Sequence, residues 1–276
     1  MKTETEALFP RSLVVDIRLD DDLRYKGSIH DDVVARARGY KAALVPGAFV
    51  YGHMGRVAVE AWGLPWLERG GMGASFRRPV YNGDRLTISA SALSGDADMR
   101  RSAIVVTNTD GEEVASGWIG LPDLSPSVPD LSAFAVLPRP DPPPAVSIGQ
   151  LKPGAPLTTA DRVLTEEEFR RSLSAFDEQH ALHARDGIVH PGCLMRLAMG
   201  DTHNSFRFPS AIVLTAVEAQ HFACVRPGQG LTTVGRIADA WVRNGKHYFQ
   251  SEEFLRADGR LAARFLRTQI YGYENV

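Results

Sequence analysis

Two stretches of the chain are apolar around most of a helical circumference: LVPGAFVYGHMGRVAVEAWG, starting at Leu44, and IVHPGCLMRLAMG, starting at Ile188. A surface helix would show one apolar stripe, so both read as buried helices, over Pro46–Trp62 and Pro191–Gly200. Each is followed by runs that alternate or are β-branched. After the first come Arg85–Leu93, Arg101–Asn108 and Glu113–Leu121; after the second come Leu231–Val242, His247–Arg256 and Leu261–Tyr271. These predict antiparallel strands. The turns keep register between the copies. Gly47 and Gly192 are 145 positions apart, as are Gly83 and Gly228, and Asp110-Gly111 and Asp258-Gly259 are matching hairpin turns. Between the copies, proline is dense from Leu121 to Leu157. Proline fixes φ and removes a donor, so this segment should run extended. The division predicted is a first unit over 1–121, a Pro-rich linker over 122–157 and a second unit over 158–276. Each unit is α+β, an antiparallel sheet wrapped around one buried helix.

Composition narrows the function. A net charge of −2 gives no basic surface for nucleic acid or anionic membrane. No apolar run approaches the roughly 18–20 residues of a membrane helix. The two cysteines, Cys193 and Cys224, make no disulfide framework and suit a reducing compartment. The first residues, MKTETEALFPRS, have no apolar core of a leader peptide, so a cytoplasmic location is expected. No Cys/His spacing fits a metal site, and no glycine loop cradles a phosphate. A metal or a separate cofactor is therefore not expected.

The Pro-Gly start of each buried helix is followed by a characteristic strand opening, FRRPVYNGDRL in the first copy and CVRPGQGL in the second, where Gln229 stands in place of an Asp. With the duplicated plan, this resembles the tandem, or double, hotdog of the MaoC-like (type-2 enoyl-CoA hydratase/dehydratase) family. The resemblance covers most of the chain. It implies a lyase that adds or removes water across the α,β double bond of an acyl-CoA-type thioester, with coenzyme A as part of the substrate. An Asp and a His of a D-x-N-P-[LIV]-H pattern share the proton transfers, a task imidazole suits near neutral pH.

In the first half, YKGSIHDDVVARA puts His30 in the pattern, but Tyr25 replaces the Asp and Gly27 the Asn. His30, Asp31 and Asp32 then read as the polar start of a short helix, where acids are favoured. In the second half, EQHALH puts His183 in place, with Glu178 at the Asp position, His180 at the Asn and Ala181 at the Pro; Asp177 stands next door. The resemblance therefore implies catalysis in the second half by His183 and Glu178, with Asp177 in reserve. The first half would widen the acyl pocket.

The first N–H groups of a helix lack partners and carry the positive dipole end, which suits an enolate oxygen. Gly192 matches the family's backbone donor, with Gly47 its counterpart. His190 is a candidate for substrate binding or a simple helix cap. Cys193, among Leu194 and Met195, reads as core, and His203, His221 and His247 read as structural. Arg77, Arg78, Arg226 and Lys246 are candidates for the phosphates of a coenzyme. Two other readings stay open: a hotdog thioesterase, for which Glu60 on the first buried helix is the candidate carboxylate, and a non-catalytic acyl-thioester binding module. Water loss or isomerisation on an unusual acid, through His180 and Glu178, is a fourth. The fold allows the two units to pack sheet against sheet, and the resemblance allows a further homodimer.

Overall fold

The computed structural model describes residues 8–19, 25–95, 98–209 and 211–274, with the backbone alone for 160 and 201–204. The leader-peptide reading of residues 1–7 and the side chain of His203 thus lie outside the described residues.

The first half comprises β1 (Arg11–Asp16), α1 (Asp32–Ala37), α2 (Gly47–Trp62), α3 (Leu64–Arg69), β2 (Gly71–Phe76), β3 (Arg85–Ala90), the short β4 (Ser94–Gly95), β5 (Met99–Thr107) and β6 (Glu113–Pro122). The second comprises β7 (Ala160–Val163), α4 (Glu166–Ala175), α5 (Ala181–Ala184), α6 (Pro191–Ser205), β8 (Val213–His221), β9 (Gly230–Arg243), β10 (Lys246–Ala257) and β11 (Arg260–Tyr273). The predicted helices and strands all form. α2 is buried on nearly every face, from Ala48 to Trp62, as its apolar circumference requires. Among the described residues, no helix is long and apolar enough to cross a membrane.

The strands run β1-β3-β5-β6-β2-β8-β11-β10-β9-β7, with β4 beside β5. Read from either end, the order is the same for both copies. The expectation of two sheets packed face to face is corrected here. The sheets join edge to edge, β2 pairing antiparallel with β8 from Gly71↔Gln220 to Ser75↔Ala216. Each is the last strand of its own half-sheet, and joining them satisfies two rows of backbone groups that would otherwise be open edges. The continuous sheet brings α2 and α6 together. A Cβ built on Gly192 would lie 2.9 Å from the Cα of Gly52, so the helices touch at glycines.

Between Pro122 and Ala160 there is no helix or strand. The Pro-rich segment is nevertheless anchored to the second half. Leu131 and Phe134 pack on Val234, Phe254 and Leu261, while Val146, Leu151 and Leu157 pack on Ile237, Phe249 and Tyr271.

Candidate functional site

Each half holds a histidine beside the start of its central helix. In the first, Asp31 caps α1 by accepting from the N–H of Val33 at 2.9 Å, and Asp32 accepts from the N–H of Ala43 at 2.6 Å. Both acids are thus committed to backbone, as their position at a helix start suggests. His30 Nδ1 lies 2.6 Å from the carbonyl of Leu44. A carbonyl only accepts, so Nδ1 carries the proton and Nε2 of the neutral ring is left as the acceptor. Burial lowers the His30 pKa, the Leu44 bond opposes this, and the charge of Arg196 lowers it further.

His30 lines a cavity of about 730 Å³ that also takes in Gly47, Phe76, Leu214 and Ile270. That volume falls within the range of small-molecule sites. Pro46 gives α2 no side-chain cap, so the helix start at Gly47 meets the cavity with no side chain of its own covering it. Exposed Arg77, Arg78, Arg243 and Lys246 form the cavity's outer wall. Arg77 pairs with Glu113 at 2.5 Å and Arg78 with Glu112 at 3.6 Å. Neither glutamate lines the cavity, nor does any other described Asp or Glu. Of the four basic candidates from the sequence, Arg77, Arg78 and Lys246 meet here. Arg226 instead donates to the carbonyl of Asp186.

The second half repeats the pattern and closes it. His183 Nδ1 lies 2.7 Å from the carbonyl of Ile188, matching His30 and Leu44. Glu178 Oε1 accepts from the N–H of His180 at 2.7 Å; its Oε2 lies 3.4 Å from His190 Nε2 and 3.7 Å from Arg56 Nε. His190 caps α6, its Nδ1 accepting from the N–H of Gly192 at 3.1 Å. The backbone donor expected at Gly192 is therefore engaged by the chain itself. The structure brings together Glu178, His183, His190 and Gly192. It leaves Asp177 exposed at the end of α4, with a left-handed φ of 45°.

A second cavity of about 820 Å³ adjoins the second-half cluster through His53, Arg56, Phe176 and Asp177, but Glu178, His183 and His190 do not line it. Glu178 is 3% exposed, and His183 and His190 are 0%. The Phe176 ring stacks on His190 with centroids 4.3 Å apart, and it fills the space over Gly192, where a Cβ would lie 2.5 Å from it. The Nε2 of His183 is buried with no hydrogen-bond partner, while that of His190 faces the Glu178 carboxylate. Burial pushes His183 down to about 4, with the neighbouring His190 adding to it, and burial lowers His190 against the pull of Glu178. Burial would raise Glu178, but its contacts with His190 and the His180 N–H outweigh it and hold the carboxyl below its usual range.

The other candidates have structural partners. Glu60 receives Arg11 Nη2 at 2.5 Å near the end of α2 and does not line the cavity. Cys193 is buried, which raises its thiol, and both cysteines are free. His221 Nδ1 contacts the carbonyl of Trp66 at 3.3 Å, and His247 Nε2 lies 3.7 Å from Glu274. His53 went unread as part of a cluster in the sequence; it is 3% exposed on α2 and meets Phe176 edge-on.

Solved structures resemble this one along nearly its whole length. A protein described as a MaoC domain dehydratase from Chloroflexus aurantiacus J-10-fl matches with a TM-score of 0.65 at 16% identity, over 96% of each chain. A Mycobacterium tuberculosis protein with a double hotdog fold gives 0.57 at 17%, over 96% of this chain and 97% of that one. An oleoyl thioesterase from Lactobacillus plantarum gives 0.52 at 11%, over 95% and 96%. No family model and no curated protein matches the sequence. The chain is a double-hotdog protein. MaoC-like dehydratases and thioesterases both share this frame.

Proposed function

We propose that this chain is a hydratase or dehydratase acting on an acyl-CoA-type thioester, and that the reaction takes place in the first-half cavity. The observation that carries the reading is that His30 and the uncapped start of α2 share one accessible cavity. In the dehydrating direction, His30 Nε2 takes the Cα proton of a 3-hydroxyacyl thioester. The enolate oxygen that forms is held at the Gly47 end of the helix. The imidazolium then returns its proton to the departing β-hydroxyl, which leaves as water and completes the double bond. Hydration is the reverse. Arg77, Arg78, Arg243 and Lys246 would meet the phosphates of the coenzyme.

Hydrolysis is the rival reading in the same cavity, because His30 can equally drive water onto the thioester carbonyl. The convergence of Glu178, His183 and His190 supports a second reading, with the same chemistry in the second half. One experiment separates these. Trans-2-enoyl-CoAs, short to bulky, are incubated with the protein while the enoyl-thioester absorbance and free thiol are followed. Loss of the band without thiol release is expected, reduced about a hundredfold or more in His30→Gln and retained in His183→Gln. The opposite pattern of variants would move the chemistry to the second half. Thiol release would make the protein a thioesterase, and ligand binding without turnover a binding module.

A further inference from the structure

Each half reaches across to the other's histidine loop with an arginine. Tyr25 and Glu178 stand at the same place, five residues before His30 and His183. Arg56, on α2, lies 3.7 Å from Glu178. Arg196, on α6, donates from Nη2 to the Tyr25 hydroxyl at 3.0 Å and lies over the Phe49 ring at 4.8 Å. The Tyr25 ring in turn meets the His30 ring edge-on, with centroids 5.3 Å apart. We infer that Arg196 is the positioning residue of the first-half site: reaching over from the second half, it fixes Tyr25 against the imidazole of His30 and keeps a positive charge beside it. The inference rests on the reading of His30 as the base.

The other polar groups around His30 have different duties. Asp31 and Asp32, next in sequence, are tied to backbone N–H groups. Tyr40, Tyr248 and Tyr273 line the same cavity, as do Arg77, Arg78, Arg243 and Lys246 on its outer wall, where Arg77 and Arg78 are paired with glutamates. Among the described residues, Arg196 is the charged neighbour that acts on the imidazole, in the same direction as burial and against the Leu44 bond. A proton on His30 would set a second cation near the guanidinium in a half-buried place, where charges interact more strongly than in water. The arrangement therefore keeps Nε2 unprotonated and ready to accept, at lower pH than a solvated histidine would allow.

The test reads His30 directly. Its imidazole resonances, assigned by their loss in His30→Gln, are titrated by NMR in the full-length protein and in Arg196→Gln, which removes the charge. The acidic limb of kcat/KM is recorded for the same proteins. In Arg196→Gln, His30 should titrate at higher pH. Turnover near pH 5.5 should fall roughly three- to tenfold relative to its plateau. Arg196→Lys keeps the charge and should leave the limb near that of the parent, which also serves if the glutamine variant folds poorly. Tyr25→Phe removes the hydroxyl contact but no charge, so it should lower kcat severalfold with the limb in place. An unchanged His30 titration in Arg196→Gln overturns the inference while leaving the base assignment intact. A titration that moves without the kinetic limb shows instead that His30 is not the base, and the inference falls with that reading.

Discussion

The two halves build the same local device and give it opposite access. Each holds a histidine through Nδ1 on a backbone carbonyl, His30 on Leu44 and His183 on Ile188, beside a Pro-Gly helix start. One residue before that proline makes the first difference. It is Val45 in the first half, which cannot cap, and His190 in the second, which occupies the N–H of Gly192. A further helix makes the rest. α4 runs up to Phe176, and it has no counterpart among the described residues of the other half. The copy that keeps more of the ionisable pattern is the closed one. Residue types alone therefore do not locate a reaction; the caps and plugs around them decide whether a substrate can arrive.

Removing the plug should give the largest effect. Phe176 is fully buried between Phe49, His53 and His190. Phe176→Ala should cost about 3–5 kcal/mol of stability, the range for emptying a buried aromatic site. It should also open His190 and His183 to diethyl pyrocarbonate, mapped by peptide mass spectrometry, and leave turnover in the first-half cavity in place. In the parent protein, His30 should react well before either. Rapid modification of His183 in the parent would erase the contrast between an open and a closed half.

Acid should act next, and mainly on the closed half. Burial pushes His221, bonded to the carbonyl of Trp66, down to about 4. The unfolded chain has an ordinary histidine, so between about pH 6.5 and pH 4 it binds a proton that the folded site refuses. Stability is full above that window, declines as pH falls through it and levels off below. For His221 alone the loss is on the order of 3 kcal/mol. His183 and His53, lowered to about 4 and about 3, push the same way. Urea midpoints measured from pH 7.5 to 4 should show the decline, and His221→Gln should flatten it. A parent midpoint independent of pH would mean that these imidazoles are not held neutral.

Most of the frame was legible because it rests on local signals. Apolar circumference marked α2 and α6, alternation marked β3, β5, β6 and β9–β11, and turn glycines fixed the repeat. β2 and β8 escaped because their burial comes from each other and from α2 and α6, which periodicity in one segment does not show. α4 was announced by Thr165 and Glu168, whose reciprocal capping bonds form at its start, but that signal went unused. The site was half legible. Glu178, His183, His190 and Gly192 do converge, yet nothing in EQHALH says that Phe176, two residues upstream, will cover them. The cavity at His30 depends on Val45 offering no capping group and on Leu214 and Ile270 from the other half, so no single stretch of sequence contains it.

The paired glycines give the smallest and sharpest comparison. Gly47 and Gly192 are the same position in the two copies. The nearest neighbours of a Cβ on Gly47 would be the side chains of Leu214 and Phe76, at 3.3 Å, at the cavity wall. A Cβ on Gly192 would meet the pinned Phe176 ring at 2.5 Å and the backbone of Gly52 at 2.9 Å, so the helices themselves would have to part. Gly192→Ala should therefore cost about 1–3 kcal/mol, despite the better helix propensity of alanine. That corresponds to a Tm lower by roughly 2–5 °C for a chain of this size. Gly47→Ala should leave Tm within about a degree, since leaving glycine offsets a small steric cost, and raise KM severalfold by narrowing the place where the thioester oxygen sits. Equal thermal shifts in the two variants would show that the second helix start has as much room as the first, and that something other than packing keeps substrate from it.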